Sequence, residues 1–199
     1  MLEQTISLDF TIETVRCRLR RSVMEDLPAI FEATTSPRFH AGMDSEAPLR
    51  IEDLYEPLQE NLLAWQEGKL YSFTIADRDS DNLLGRIGIN RNKREGIWNL
   101  GFWMHPAYQG KGYMTESVIA IISFGFDRLD AVQVEASYAL WNKSSKRVLE
   151  KAGMRFVGYI PHAFRKRGRW VEANKMRITK QEWIVLDRRS DLIAVEIDP

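Results

Sequence analysis

The 199 residues are 44% hydrophobic, enough for one sizeable core but too few for two ordinary domains without a visible linker. A single domain over 1–199, with its core from about 14 to 188, is the expectation. Basic and acidic residues cancel at 28 each, which excludes a global electrostatic pull toward nucleic acid or an anionic membrane, so any anion has to be held locally.

One cysteine, Cys17, cannot build an internal disulfide framework, and no Cys/His spacing suits a metal ion. The first 14 residues lack the basic start and apolar stretch of a secretion signal, and no apolar run is long enough to span a bilayer. A soluble protein of the reducing cytoplasm, with no metal and no membrane partner, is expected.

Thr14-Val-Arg-Cys-Arg-Leu-Arg20 alternates small or apolar with basic side chains, the period of a strand with one wet face. In such a strand Cys17 reads as a small buried hydrophobe, since no histidine stands nearby to activate it. Ser22-Val-Met-Glu25 resembles an N-terminal capping box, and Leu27, Ile30 and Phe31 continue it as a helical face. Residues 35–48, with Pro37, Gly42 and Pro48, read as a loop: a connector or a wall of a substrate groove. Helical spacing returns over Ile51–Glu67 through Leu54, Leu58, Leu62 and Trp65, with Gly68 as its stop.

Tyr71–Ala76, Leu83–Ile89 and Ile97–Met104 read as strands separated by turns at 77–82 and 93–96, which predicts an antiparallel meander. Val118, Ile121, Ile122 and Phe126 mark a long helix ending near Leu129, and a short strand follows over 131–137. Asn142-Lys-Ser-Ser145 opens a helix that Gly153 terminates. Strands at 154–163 and 170–179, joined by a turn at 166–168, lead to a short helix at 181–188. Segments 1–12 and 190–199 have little to pack with and are expected to be loosely ordered.

Between the strand ending at Met104 and the long helix lies Gln109-Gly110-Lys111-Gly112-Tyr113-Met114-Thr115-Glu116. Without Cβ atoms at 110 and 112 the backbone can turn sharply and aim several N–H groups at one anion. The first-turn amides of the next helix have no intrahelical partner and stand at the positive end of its dipole. The spacing matches neither the P-loop nor the dinucleotide fingerprint, so by itself the segment is a glycine-rich helix start as readily as a diphosphate cradle.

Together with the order of elements, these motifs resemble the GNAT N-acetyltransferase superfamily, and within it the RimJ/RimL-like branch of ribosomal-protein N-terminal acetyltransferases. The residues that carry the resemblance are Thr14-Val-Arg16, Gly101-Phe-Trp103, Pro106-Ala-Tyr108-Gln-Gly-Lys-Gly-Tyr-Met-Thr-Glu116, Asn142-Lys-Ser-Ser145 and Leu149-Glu-Lys-Ala-Gly-Met154, over roughly 14–183. It implies an α+β GNAT fold, whose central, mostly antiparallel twisted sheet of about seven strands is splayed in the middle and flanked by helices on both faces.

The resemblance also implies acetyl-CoA as donor. Its pyrophosphate would lie on the amides of Gln109, Gly110, Lys111, Gly112, Tyr113 and Met114. Its pantetheine arm would run along Phe102, Trp103 and Met104, with Asn142 and Ser145 across from it. Ser145 is then a candidate acid for the departing thiolate, although Asn142 and Ser145 both also suit a helix entrance. The acidic residue that the family carries ahead of the leucine-glycine of its central strand is absent: Asn99 stands there, able to position a water but not to take a proton. Glu116 remains, as a base or as a brace for the loop.

His105 is a candidate proton carrier by residue type but precedes a proline, as ordinary loop histidines do. The implied acceptor is a primary amine, foremost a protein N-terminal α-amino group. A small amine or antibiotic is the enzymatic alternative, and a CoA-binding sensor without turnover is the non-enzymatic one, in a monomer or homodimer. RNA binding through Arg165–Arg169 with Trp170 has basic and aromatic residues in its favour but no recognised module.

Overall fold

The computed structural model describes residues 6–40, 47–166, 168–186 and 196–197. Their strands are β1 (Thr11–Glu13), β2 (Cys17–Arg21), β3 (Leu70–Asp77), β4 (Leu83–Arg91), β5 (Ile97–Met104), β6 (Gln133–Ala139), β7 (Arg155–Lys166), β8 (Arg169–Thr179) and the two-residue β9 (Glu196–Ile197). The helices are α1 (Leu27–Thr35), α2 (Pro37–His40), α3 (Tyr55–Gln66), α4 (Tyr113–Arg128), α5 (Lys143–Lys151) and α6 (Lys180–Leu186). All strands join one sheet in the order β7-β8-β6-β5-β4-β3-β2-β1-β9, antiparallel except for β5 and β6.

The parallel pair positions the site. Two neighbouring strands that run the same way need a crossover, and the 16-residue α4 supplies it. Their ladder extends from Ile97 opposite Gln133 to Leu100 opposite Ala136 and then stops. Beyond it β5 continues to Met104 against β4, while β6 continues to Ala139 against β8. The sheet is therefore splayed between these two strand ends.

Alternation along β5 divides its side chains between two cores. Trp98, Leu100 and Met104 join the larger cluster, where Val118, Ile121, Ile122 and Phe126 of α4 and Leu149 of α5 cover the sheet. Trp103 points the other way, against a smaller cluster of Leu27, Ile30, Leu58 and Leu83. Helix α3 reaches both, with Leu58 in the smaller cluster and Trp65 edge-on to Tyr71 and Phe73 in the larger. Each fully buried large aliphatic side chain contributes roughly 1.5–3 kcal/mol relative to exposure, so the α4 face, with Val118, Ile121 and Ile122 all at 0% exposure, adds substantially to cohesion.

Several expectations need correction. The strand expected over 14–20 begins only at Cys17, because residues 14–16 form the turn that joins β2 to β1: the Thr14 N–H donates to the Cys17 carbonyl (2.8 Å), and the Cys17 N–H donates to the Thr14 hydroxyl (3.0 Å). With β1 and β9 the count rises above the expected seven. Residues 6–12 are not loosely attached either. Phe10 and Ile12 are buried, and Trp65 Nε1 donates to the Ile6 carbonyl (3.0 Å).

Ser22 does not cap a helix, because it is buried with its hydroxyl on Thr74 (2.9 Å). Val23 is the N-cap, and Asp26 three residues on reaches back to accept from its N–H (3.0 Å). The expected loop at 35–48 begins instead with α2; residues 41–46 lie outside the described ones, as do 1–5, 187–195, 198–199 and Arg167 in the turn at 166–168. Cys17 is fully buried, and burial pushes its thiol up to about 12, as suits a packing residue.

Candidate active site

Where β5 and β6 part, a cleft of about 850 Å³ passes between the two faces of the sheet. Main-chain groups that would have continued the ladder border it, and such groups need another partner. Its walls include the strand ends Gly101–Met104 and Ser137–Ala139, the glycine loop, one face of α5 along its whole length, and Arg38 and Phe39 of α2.

The loop is shaped by the sign of two dihedrals. Gly110 has φ +78° and Gly112 φ +89°, a left-handed conformation that costs an ordinary L-residue about 1–2 kcal/mol. Gly112 is also the N-cap of α4, and no side chain caps it, so the first-turn amides are left for a ligand or water. A Cβ at Gly110 would meet no atom within 4 Å, whereas one at Gly112 would come 3.3 Å from Arg16 Nη2.

Arg16 and Glu116 brace this loop from behind. Glu116 Oε1 accepts from the Thr14 hydroxyl (2.6 Å) and the Arg16 N–H (2.8 Å), and Oε2 accepts from Arg16 Nε (2.9 Å) and Nη2 (2.7 Å). Arg16 Nη1 in turn donates to the Lys111 carbonyl (3.0 Å), and its guanidinium lies 4.5 Å over the Tyr113 ring. The hydrogen bond to Glu116 raises the Arg16 pKa further above its ordinary value. On the other flank Gln109 Nε2 donates to the Met104 carbonyl (3.2 Å), tying the loop to the end of β5.

Of the residues singled out in the sequence, Phe102, Trp103, Met104, Gln109, Gly110, Gly112, Tyr113, Met114, Asn142 and Ser145 line the cleft. Lys111 does not; its ammonium lies 5.4 Å over the Tyr108 ring. Glu116 faces Thr14 and Arg16 rather than the cleft. Asn99 stands one residue short of the point where the strands part, opposite Glu135, and its Oδ1 accepts from Asn92 Nδ2 (3.1 Å). His105 is likewise turned to its own loop, its Nδ1 accepting from the Ala107 N–H (3.1 Å). Asn142 caps α5, its Oδ1 accepting from the Ser145 N–H (3.0 Å), which leaves the Ser145 hydroxyl out of the cap.

Other cleft residues were missed. Tyr138 is buried at the end of β6, one residue beyond the strand read from the sequence, and its hydroxyl accepts from Asn174 Nδ2 (3.1 Å). Lys143, Arg147 and Lys151 recur every four residues on α5 and all line the cleft. That spacing was a readable signal of one helical face. No carboxylate is among the described residues that line it.

Below the cleft, Glu135 is buried between Arg94 (2.7 Å) and Lys175 (2.6 Å). Burial alone would push its carboxyl up, but the two cations outweigh it and hold the group below its ordinary value. Among the described residues no group of three or more His, Cys, Asp or Glu could hold a metal ion, and no helix is long and apolar enough to cross a membrane.

Residues 16–155 match the family described as Acetyltransferase (GNAT) domain. An uncharacterized N-acetyltransferase of Bacillus subtilis, YnaD, is 27% identical over 172 residues, covering 86% of this chain and 98% of its own length. Mycobacterium smegmatis RimJ, solved in complex with CoA-disulfide, superposes with TM-score 0.78 at 18% identity, over 86% of this chain and 88% of that one. RimL, a ribosomal L7/L12 alpha-N-protein acetyltransferase solved with coenzyme A, superposes with TM-score 0.75 at 18% identity, over 85% and 97%.

Proposed function

This chain belongs to the acetyltransferase (GNAT) family and is an N-acetyltransferase, and from that premise we propose that it moves the acetyl group of acetyl-CoA onto the α-amine of a protein N-terminus. The observation that carries the reading is the coincidence of an uncapped, glycine-led helix start with two parted strands in one cleft. The residues present suit acetyl-CoA. Amides from Gly110 to Met114 receive the diphosphate, and Lys143, Arg147 and Lys151 add positive charge across from them. Strand ends Gly101–Met104 and Ser137–Ala139 enclose the pantetheine arm, offering it the main-chain groups they no longer give each other.

When bound, acetyl-CoA supplies an activated acyl carbon: the amine nitrogen bonds to it, the C–S bond breaks, the amine loses a proton to water and the sulfur gains one. The chain's own contribution is mainly position and polarity. The Ser145 hydroxyl stands at the cleft wall to protonate the sulfur, and Asn99 positions water at the foot of the wedge. Glu116 stabilises the loop rather than taking a proton. Acceptor access from the α1/α2 side is supported by Gly101, beyond which a Cβ would meet nothing within 4 Å.

The test is release of coenzyme A from acetyl-CoA with N-terminal peptides, polyamines and aminoglycosides as acceptors. Peptides are expected to give the highest kcat/KM. Turnover confined to a small amine contradicts the acceptor assignment, and no turnover with any amine contradicts catalysis at this site.

A further inference from the structure

We propose that the acceptor carries a carboxylate close to its amine and that Arg38 receives it; this rests on, and narrows, the N-acetyltransferase reading above. Helix α2 is fixed at the mouth of the cleft by Phe39, which is buried and edge-on to Trp103, with ring centroids 5.2 Å apart and planes at 81°. Trp103 belongs to the part of β5 that has left the ladder, so the residue next to Phe39 is held beside the wedge. That residue is Arg38, exposed on the cleft wall.

Four cations line the cleft, and the described residues that line it with them include no carboxylate. Three of them, Lys143, Arg147 and Lys151, stand on α5, on the α4 side of the sheet where the glycine loop lies. The phosphates of the donor account for these. Arg38 stands on the opposite side with Trp103 and the smaller core, where the amine has to enter. It has no ion pair or hydrogen bond with any described residue. A guanidinium presents paired N–H donors that match a carboxylate, and it repels a second ammonium. The same charges make the cleft a poor host for a polyamine, whose amines would meet cations on both sides of the sheet.

A carboxylate near an amine has two sources: an acidic side chain early in a protein N-terminus, or the α-carboxylate of a free amino acid. The experiment compares kcat/KM for peptides that differ only in carrying Asp, Ala or Lys at their second and third positions, for free amino acids, and for spermidine. The expected order is Asp above Ala above Lys, with Asp over Lys by about tenfold or more. The difference should lie mainly in KM and shrink with added salt. Free amino acids outrunning every peptide support the carboxylate receptor and identify its source.

Arg38→Gln should bring the Asp/Ala ratio close to one, and Arg38→Glu should favour the Lys peptide, at an unchanged thermal midpoint since the side chain is exposed. An unaltered Asp/Ala ratio in Arg38→Gln overturns the proposal, as does wild-type preference for Lys peptides. Peptide turnover without any charge preference overturns this inference alone. Turnover of spermidine without peptides overturns the protein N-terminus as well.

Discussion

Both carboxylate oxygens of Glu116 are taken up by Thr14 and Arg16, so a proton placed there would break the link that also holds the Lys111 carbonyl. A brace and a base fail differently. Glu116→Ala should raise KM for acetyl-CoA about tenfold, the scale of hydrogen bonds to a charged group, and leave the pH profile of kcat in place. Ser145→Ala should instead lower kcat about a hundredfold with little change in KM, as expected for a lost proton donor. The α5 cap survives that change because it uses the Ser145 N–H and not its hydroxyl. A fall in kcat and an altered profile in Glu116→Ala would restore it as a base. An unchanged kcat in Ser145→Ala would pass the proton to solvent or to the Tyr138 hydroxyl across the cleft.

Ties between elements rest on buried carboxylates. Asp26 accepts from Arg20 twice (2.9 Å each) and from Thr74 (2.8 Å), fastening the turn before α1 to β2 and β3; Glu135 fastens β6 to β8 and to the turn after β4. Burial opposes ionisation of Asp26, yet Arg20 and its other donors lower its pKa, and Glu135 is lowered in the same way. Groups depressed in the folded state bind fewer protons there than in the unfolded chain. Their stabilisation is therefore complete above the unfolded values, about 3.9 for Asp and 4.3 for Glu, and is lost as pH falls through the lower folded ones. Urea midpoints from pH 7 to pH 2 should hold to about pH 5 and then decline, and Asp26→Asn with Glu135→Gln should flatten that decline. A wild-type midpoint indifferent to acid would contradict the assignment.

Among the elements, the meander and α4 were legible because their apolar residues keep a period of two or of about 3.6. The β1–β2 hairpin was not, since Val15 and Arg16 continue the alternation through the turn that Thr14 makes with Cys17. Helix α2 was hidden in a segment punctuated by Pro37, and with it Arg38. The glycine loop could be read residue by residue, and Glu116 could be read as its brace or as a base, but the residue it braces against could not. Arg16 and Glu116 meet 100 positions apart, a contact that no local pattern encodes.

At the scale of the whole molecule, a neutral chain concentrates positive charge in a cleft that opens only because one parallel ladder ends four residues before β5 does. Helix α4 serves this arrangement twice: its body carries the core and its start offers the amides. The fold and the proposed donor and acceptor sites therefore depend on the same crossover. The most direct test is a crystal structure of the chain grown with excess coenzyme A. Diphosphate density is expected on the amides of Gly110 to Met114, with the pantetheine arm between Gly101–Met104 and Ser137–Ala139. Coenzyme bound elsewhere, or β5 and β6 paired along their full lengths, would contradict it.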